Sequence, residues 1–165
     1  MTTDKIYLVG FMGAGKTTTA RALGSRIGWR VEDIDSRIEA RERRAIASIF
    51  AQSGEAYFRD AERHVLGDLL QQREIVVATG GGTFVEPDNR ALMLADGTVV
   101  WLDVPLDRVV QRIPVDGRRP LAADRVEMER LYTRRRLAYA EAHLRVDASG
   151  PTAEVVERLL DGLGF

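Results

Sequence analysis

The chain has 165 residues, enough to bury one sizeable core and too few for two ordinary domains. Its 24 basic and 25 acidic residues leave a net charge of −1 with no long block of either sign, which argues against a nucleic-acid or membrane surface and for a small-molecule partner. Cysteine is absent, so disulfides, thiolate metal sites and cysteine nucleophiles are excluded.

The first apolar run, inside "MTTDKIYLVG", is far shorter than a signal h-region or the ~20 residues of a membrane span, and a cytoplasmic location is expected. "KIYLVG" reads as a strand, and "GFMGAGKTT" follows it. There Gly10, Gly15, Lys16 and Thr17 match G-x-x-x-x-G-K-[ST], and "TTTARALGSRIG" then opens a helix, which is the setting this motif requires. The loop and first turn, Gly13, Ala14, Gly15, Lys16, Thr17 and Thr18, can wrap phosphates with backbone N–H groups. Lys16 reaches the β- and γ-phosphates and Thr17 ligates Mg²⁺. Of all the basic residues only Lys5 and Lys16 are lysines, which marks Lys16 as chosen for its chemistry in a chain that otherwise uses arginine.

"WRVEDID" predicts a second strand. On extended chain Asp33 and Asp35 point the same way at the edge that faces the ligand crevice. Two carboxylates there can hold Mg²⁺ through water and bind or deprotonate an acceptor hydroxyl; the other reading of Asp35 is the N-cap of a helix "DSRIEAR". The segment 36–73 is too long for one crossover helix and is broken by "QSGE" at 52–55, so two or three helices are expected, with room for a substrate. Within it "GEAYFRDAE" puts Arg59 and Glu62 at i, i+3, either an oriented guanidinium for a ligand or an ordinary exposed helix pair.

"EIVVATGGG" predicts a third strand ending in Thr79 and Gly80, Gly81 and Gly82, a run suited to close backbone approach. "TVVWLDV" and "LRVDAS" predict the fourth and fifth strands. Between them "RIPVDGRRPLAAD", 112–124, reads as a mobile loop between helices. Short β-branched runs alternating with helical stretches indicate an α/β domain, a parallel sheet covered by helices on both faces.

In this order, "GFMGAGKTT", "DID", "SIFAQSGEAYFRDAE", "TGGG", "RPL" at 119–121 and "RRLAY" at 135–139 resemble the shikimate kinase family, and the resemblance spans nearly the whole chain. It implies a single domain, a P-loop kinase of the nucleoside monophosphate kinase-like type with a five-stranded parallel sheet, substrate-binding helices over 36–73 and a mobile lid over 112–124. The implied reaction moves the γ-phosphate of ATP to the 3-hydroxyl of shikimate, in aromatic amino acid biosynthesis, with Mg²⁺. The resemblance implies catalytic roles for Lys16, Asp35 and Arg119, and metal binding by Thr17 and Asp33, with Thr79 meeting a metal-bound water. It implies that Arg59 and Arg135 clamp the shikimate carboxylate, that Glu62 braces Arg59, that Gly80 to Gly82 line the ring, and that Phe50 and Phe58 form apolar walls. Arg112 and Pro151 would sandwich the adenine, and Arg119 would close on the phosphates. The chain departs from the family pattern at Leu137 and Ala138, which stand where a proline and a leucine are usual, at Ala122 in the lid, and at "RRAIASIF". A kinase of the same architecture for gluconate or a nucleoside monophosphate, and a non-catalytic ligand-binding relative, are the alternatives. A GTP switch is set aside because neither lysine lies in an Asn-Lys-x-Asp setting. With a complete site in one chain, a monomer is expected.

Overall fold

The strand Lys5–Val9 (β1) is buried along its whole length, as expected of a β-branched and apolar run with no polar alternation. It pairs in parallel with Ile75–Ala78 (β3) on one side and Thr98–Asp103 (β4) on the other; Arg30–Asp33 (β2) flanks β3 and Leu144–Asp147 (β5) flanks β4. The computed structural model describes residues 3–112 and 125–165, and in it the sheet order is β2-β3-β1-β4-β5. The five strands fall where the alternation of runs places them, each a little shorter than its run.

The helices are Lys16–Ile27 (α1), Ile34–Glu42 (α2), Ile46–Leu69 (α3), Pro87–Asp96 (α4), Leu106–Arg112 (α5), Arg125–Tyr139 (α6) and Thr152–Leu163 (α7). Right-handed crossovers running in opposite directions put α1, which packs on β2, β3 and α7, on one face and α4 on the other. The chain changes side of β1 between β3 and β4, which opens a crevice beyond the carboxyl ends of the strands. Gly10, Asp33, Thr79 and Asp103 all lie at that one edge because the register is parallel.

The segment 36–73 holds α2 and α3, and α3 breaks at Gly54, whose φ of 84° and ψ of 173° leave the helix. The break falls inside "QSGE", as expected. Helix α2 corrects one expectation. Its N-cap is Asp33, which accepts from the Ser36 amide at 3.0 Å, and Asp35 lies in the first helical turn. Strand β2 ends at Asp33 because its partner β3 ends opposite at Ala78, so the two aspartates do not share an extended strand.

Lys5 has a structural task at the opposite edge. Its ammonium is wholly buried, donates to the Leu69 carbonyl and pairs with Asp96 Oδ2 at 2.6 Å. Asp96 also accepts from Tyr7 Oη at 2.6 Å and from Arg73 at 2.8 Å.

Candidate active site

The cradle forms where β1 runs into α1. Gly15 caps α1 in a left-handed conformation, φ 84°, and no side chain occupies the cap, so the first helical N–H groups remain presented to an anion. No acidic residue sits in the first turn of α1 to compete. Gly10 serves a different need: a β-carbon there would come 2.7 Å from the Leu102 carbonyl oxygen, so the first glycine of the motif is required for packing against β4. Lys16 Nζ folds over its own loop and donates to the carbonyls of Gly10 at 2.6 Å and Phe11 at 2.9 Å. Ala14 is buried under the loop and Thr18 is exposed at its rim.

Thr17 Oγ1 donates to Asp33 Oδ2 at 2.6 Å, which brings a hydroxyl and a carboxylate oxygen together at the mouth of the cradle. These are hard oxygen donors of the type Mg²⁺ prefers. Thr79 is buried beside them, its hydroxyl donating to the Leu8 carbonyl at 2.9 Å, so only its lone pairs face elsewhere.

Arg112 reaches from α5 to the other flank of the loop, donating to the Gly13 carbonyl at 3.1 Å and to Ser149 at 3.3 Å. Pro151, the N-cap of α7, follows that turn. Arg112 therefore links the outer end of the cradle to the turn that precedes Pro151.

The acceptor side is organised by the three glycines after β3. A β-carbon on Gly80 would lie 2.8 Å from Asp35 Oδ1, one on Gly81 would lie 2.8 Å from an Arg135 amino group, and one on Gly82 would lie 2.5 Å from the Arg59 guanidinium. None of the three has a positive φ, so their glycine character reflects the close approach of these three charged groups. Asp35 and the two arginines expected as the clamp are thus brought to one turn from α2, α3 and α6.

Each is held there. Burial, with repulsion from Asp33 added and attraction to Lys16 opposing, pushes the Asp35 carboxyl up to about 6. Arg59 donates to Glu62 Oε1 at 2.9 Å and lies over the Phe58 ring, which in turn contacts Phe50 with centroids 4.7 Å apart. Phe58 is buried and Phe50 is partly open, an apolar wall with a solvent-facing edge. Burial lowers the Arg135 guanidinium from its usual value, and the nearby Arg59 charge adds to this. Two guanidiniums converging in a sheltered site make a setting that a carboxylate would relieve.

Glu62 is fully buried, and burial raises its carboxyl despite Arg59. Its second oxygen accepts from Thr83 Oγ1 at 2.9 Å, and Thr83 in turn accepts from the Gly80 amide at 3.0 Å. The chain Gly80, Thr83, Glu62, Arg59 ties the glycine turn to the clamp. Thr83 follows the glycine run directly, but the carboxylate it binds, Glu62, comes from α3, so sequence spacing gives no signal for the bridge. Tyr139, four residues after Arg135, is buried and donates to the Gly81 carbonyl at 2.5 Å. Arg119 belongs to 113–124 and lies outside the described residues, as does the rest of the lid beyond Arg112.

The chain matches the family model described as shikimate kinase over residues 12–163. A shikimate kinase of Persephonella marina is 41% identical over 157 residues, covering 94% of this chain and 96% of that one. The crystal structure of shikimate kinase from Aquifex aeolicus superposes with a TM-score of 0.90 at 35% identity, covering 97% of this chain and 96% of that chain. Shikimate kinase from Acinetobacter baumannii in complex with shikimate gives 0.91 at 34% identity, covering 97% and 92%. At this identity and coverage, and with the motif-bearing residues gathered at one sheet edge, the chain belongs to the shikimate kinase family, ATP-dependent kinases that phosphorylate shikimate.

Proposed function

We propose that this protein transfers the γ-phosphoryl group of ATP to the 3-hydroxyl of shikimate through the residues gathered at the glycine turn. The observation that carries the assignment of roles is the convergence of Asp35, Arg59 and Arg135 within 3 Å of the three glycine β-carbon positions. Arg59 and Arg135 bind the substrate carboxylate from two directions, which fixes the ring against the turn. Asp35 accepts a hydrogen bond from a ring hydroxyl. Its elevated pKa, about 6, suits a group that takes up the hydroxyl proton as the oxygen attacks.

Phosphoryl transfer asks for alignment and charge neutralisation more than covalent chemistry. Lys16 leaves its loop carbonyls for the β- and γ-phosphates, and the N–H groups of Gly13 to Thr18 hold them. Thr17 and Asp33 would hold Mg²⁺, which supplies charge neutralisation on the phosphates. Arg112 and Pro151 flank the adenine. The resemblance gives Arg119 the transferring phosphoryl, where a guanidinium adds charge and displaces water. A cytoplasmic monomer is the accompanying reading, supported by the balanced charge and by a site assembled from one chain.

The experiment is ADP release by purified protein with Mg-ATP, with and without shikimate, beside gluconate and a nucleoside monophosphate. Shikimate-dependent release is expected. A gluconate or nucleotide kcat/KM tenfold or more above that for shikimate overturns the acceptor roles and leaves the cradle intact.

A further inference from the structure

Helix α6 carries three consecutive arginines, 134 to 136, and only one of them lies at the glycine turn. Successive helical residues point about 100° apart, so which arginine arrives depends on how α6 is rotated about its axis. Two i, i+4 pairs look inward from adjacent stripes of this helix. Arg135 and Tyr139 face Gly81. Tyr132 and Arg136 face the end of β4, where Tyr132 donates to the Val104 carbonyl at 2.8 Å and Arg136 donates to Asp103 Oδ1 at 2.7 Å and to Tyr132 Oη at 2.9 Å.

The floor under Arg136 is rigid. Its guanidinium lies 4.7 Å from the centroid of Trp101, a core residue of β4. Arg145 of β5 lies 4.9 Å from the same indole and binds the other oxygen of Asp103 at 2.5 Å. A planar guanidinium can stack on an indole while its edge donates to a carboxylate, which a lysine cannot do. Arg134 is exposed and has no such seat among the described residues.

We propose that Arg136 is a positioning residue for the shikimate carboxylate: seated on Asp103 and Trp101, it sets the rotation of α6 that delivers Arg135 to Gly81. The inference rests on the reading of Arg135 as a carboxylate clamp. It gives the arginine run a division of labour in which one member binds substrate and the next locks the helix.

The test measures initial rates of ADP release for the full chain and for Arg135→Ala, Arg136→Met, Arg136→Lys, Asp103→Asn and the Arg136→Met/Asp103→Asn pair. Arg136→Met is expected to raise the shikimate KM about tenfold, as slight misplacement of a positioning group does. The ATP KM and kcat stay within about twofold, as for loss of uniform substrate binding. Asp103→Asn shifts the shikimate KM the same way, the pair is no worse than the larger single change, and Arg136→Lys recovers part of the loss because it keeps the ion pair. An unchanged shikimate KM in Arg136→Met, or a parallel rise in both KM values as general loosening would give, overturns the proposal. If Arg135→Ala leaves the shikimate KM unchanged, the clamp reading fails first; if it raises that KM while Arg136→Met does not, only the positioning role is lost.

Discussion

At the scale of single residues, the site is built from groups whose partners fix them before substrate arrives. Thr83 shows this best, since its one hydroxyl bridges the Gly80 amide and the Glu62 carboxylate that orients Arg59. Thr83→Val keeps the shape and removes the bridge. The shikimate KM is expected to rise severalfold with the ATP KM unmoved, and Thr83→Ser to restore it; an effect on both KM values would show that the bridge serves folding alone. Lys16→Ala should act on the other axis and lower kcat by ~10² or more, the scale seen when one preorganised group on developing charge is removed. Steady-state kinetics at saturating ATP read this directly. The two carboxylates of "DID" mark how far sequence reasoning reaches at this scale. Their presence beside a cradle is legible, but their separation into a helix cap and a half-buried acid with a raised pKa depends on where β3 ends, which is a fact of another strand.

At the scale of elements, the two glycine loops fail in opposite ways when altered. A methyl on Gly82 meets the end of a flexible side chain, Arg59, and can be accommodated by moving the clamp. A methyl on Gly10 meets the Leu102 carbonyl oxygen at 2.7 Å, on a backbone at φ +154° that L residues rarely adopt. Gly82→Ala is therefore expected to raise the shikimate KM at nearly unchanged Tm, and Gly10→Ala to lower Tm; thermal melts beside kinetics separate the two. The P-loop was legible because its chemistry is local: strand, glycines, lysine and helix lie in one stretch. The break of α3 at Gly54 was legible for the same reason. The seat of α6 on β4 was not, since Arg136, the pair Trp101 and Asp103, and Arg145 come from three elements with no shared spacing between them.

At the scale of the whole molecule, the parallel sheet separates function from stability by edge. The carboxyl edge gathers the acceptor and phosphate groups, while the amino edge buries Lys5 against Asp96. Burial pushes the Asp96 carboxyl up, but bonds from Lys5, Tyr7 and Arg73 outweigh this and hold it below its ordinary value of 3.8. The stability it contributes is thus present above that pH and is lost as pH falls through the depressed folded value. Asp96→Asn leaves Lys5 buried without its counter-ion, at a cost of about 3 kcal/mol, or roughly 6–12 °C in Tm for a chain of this size. The Tm gap to the parent protein is expected to be widest at neutral pH and to close in acid, with both KM values unchanged; a shikimate KM that moved with Asp96 would contradict the division. The same geometry separates the two tryptophans: Trp29 packs edge-on to Phe165, while Trp101 lies beneath the guanidiniums of Arg136 and Arg145. With Trp29→Phe, the remaining emission comes from the indole under the seat of α6, and a change in that emission on adding shikimate is the expected sign that the seat feels the acceptor.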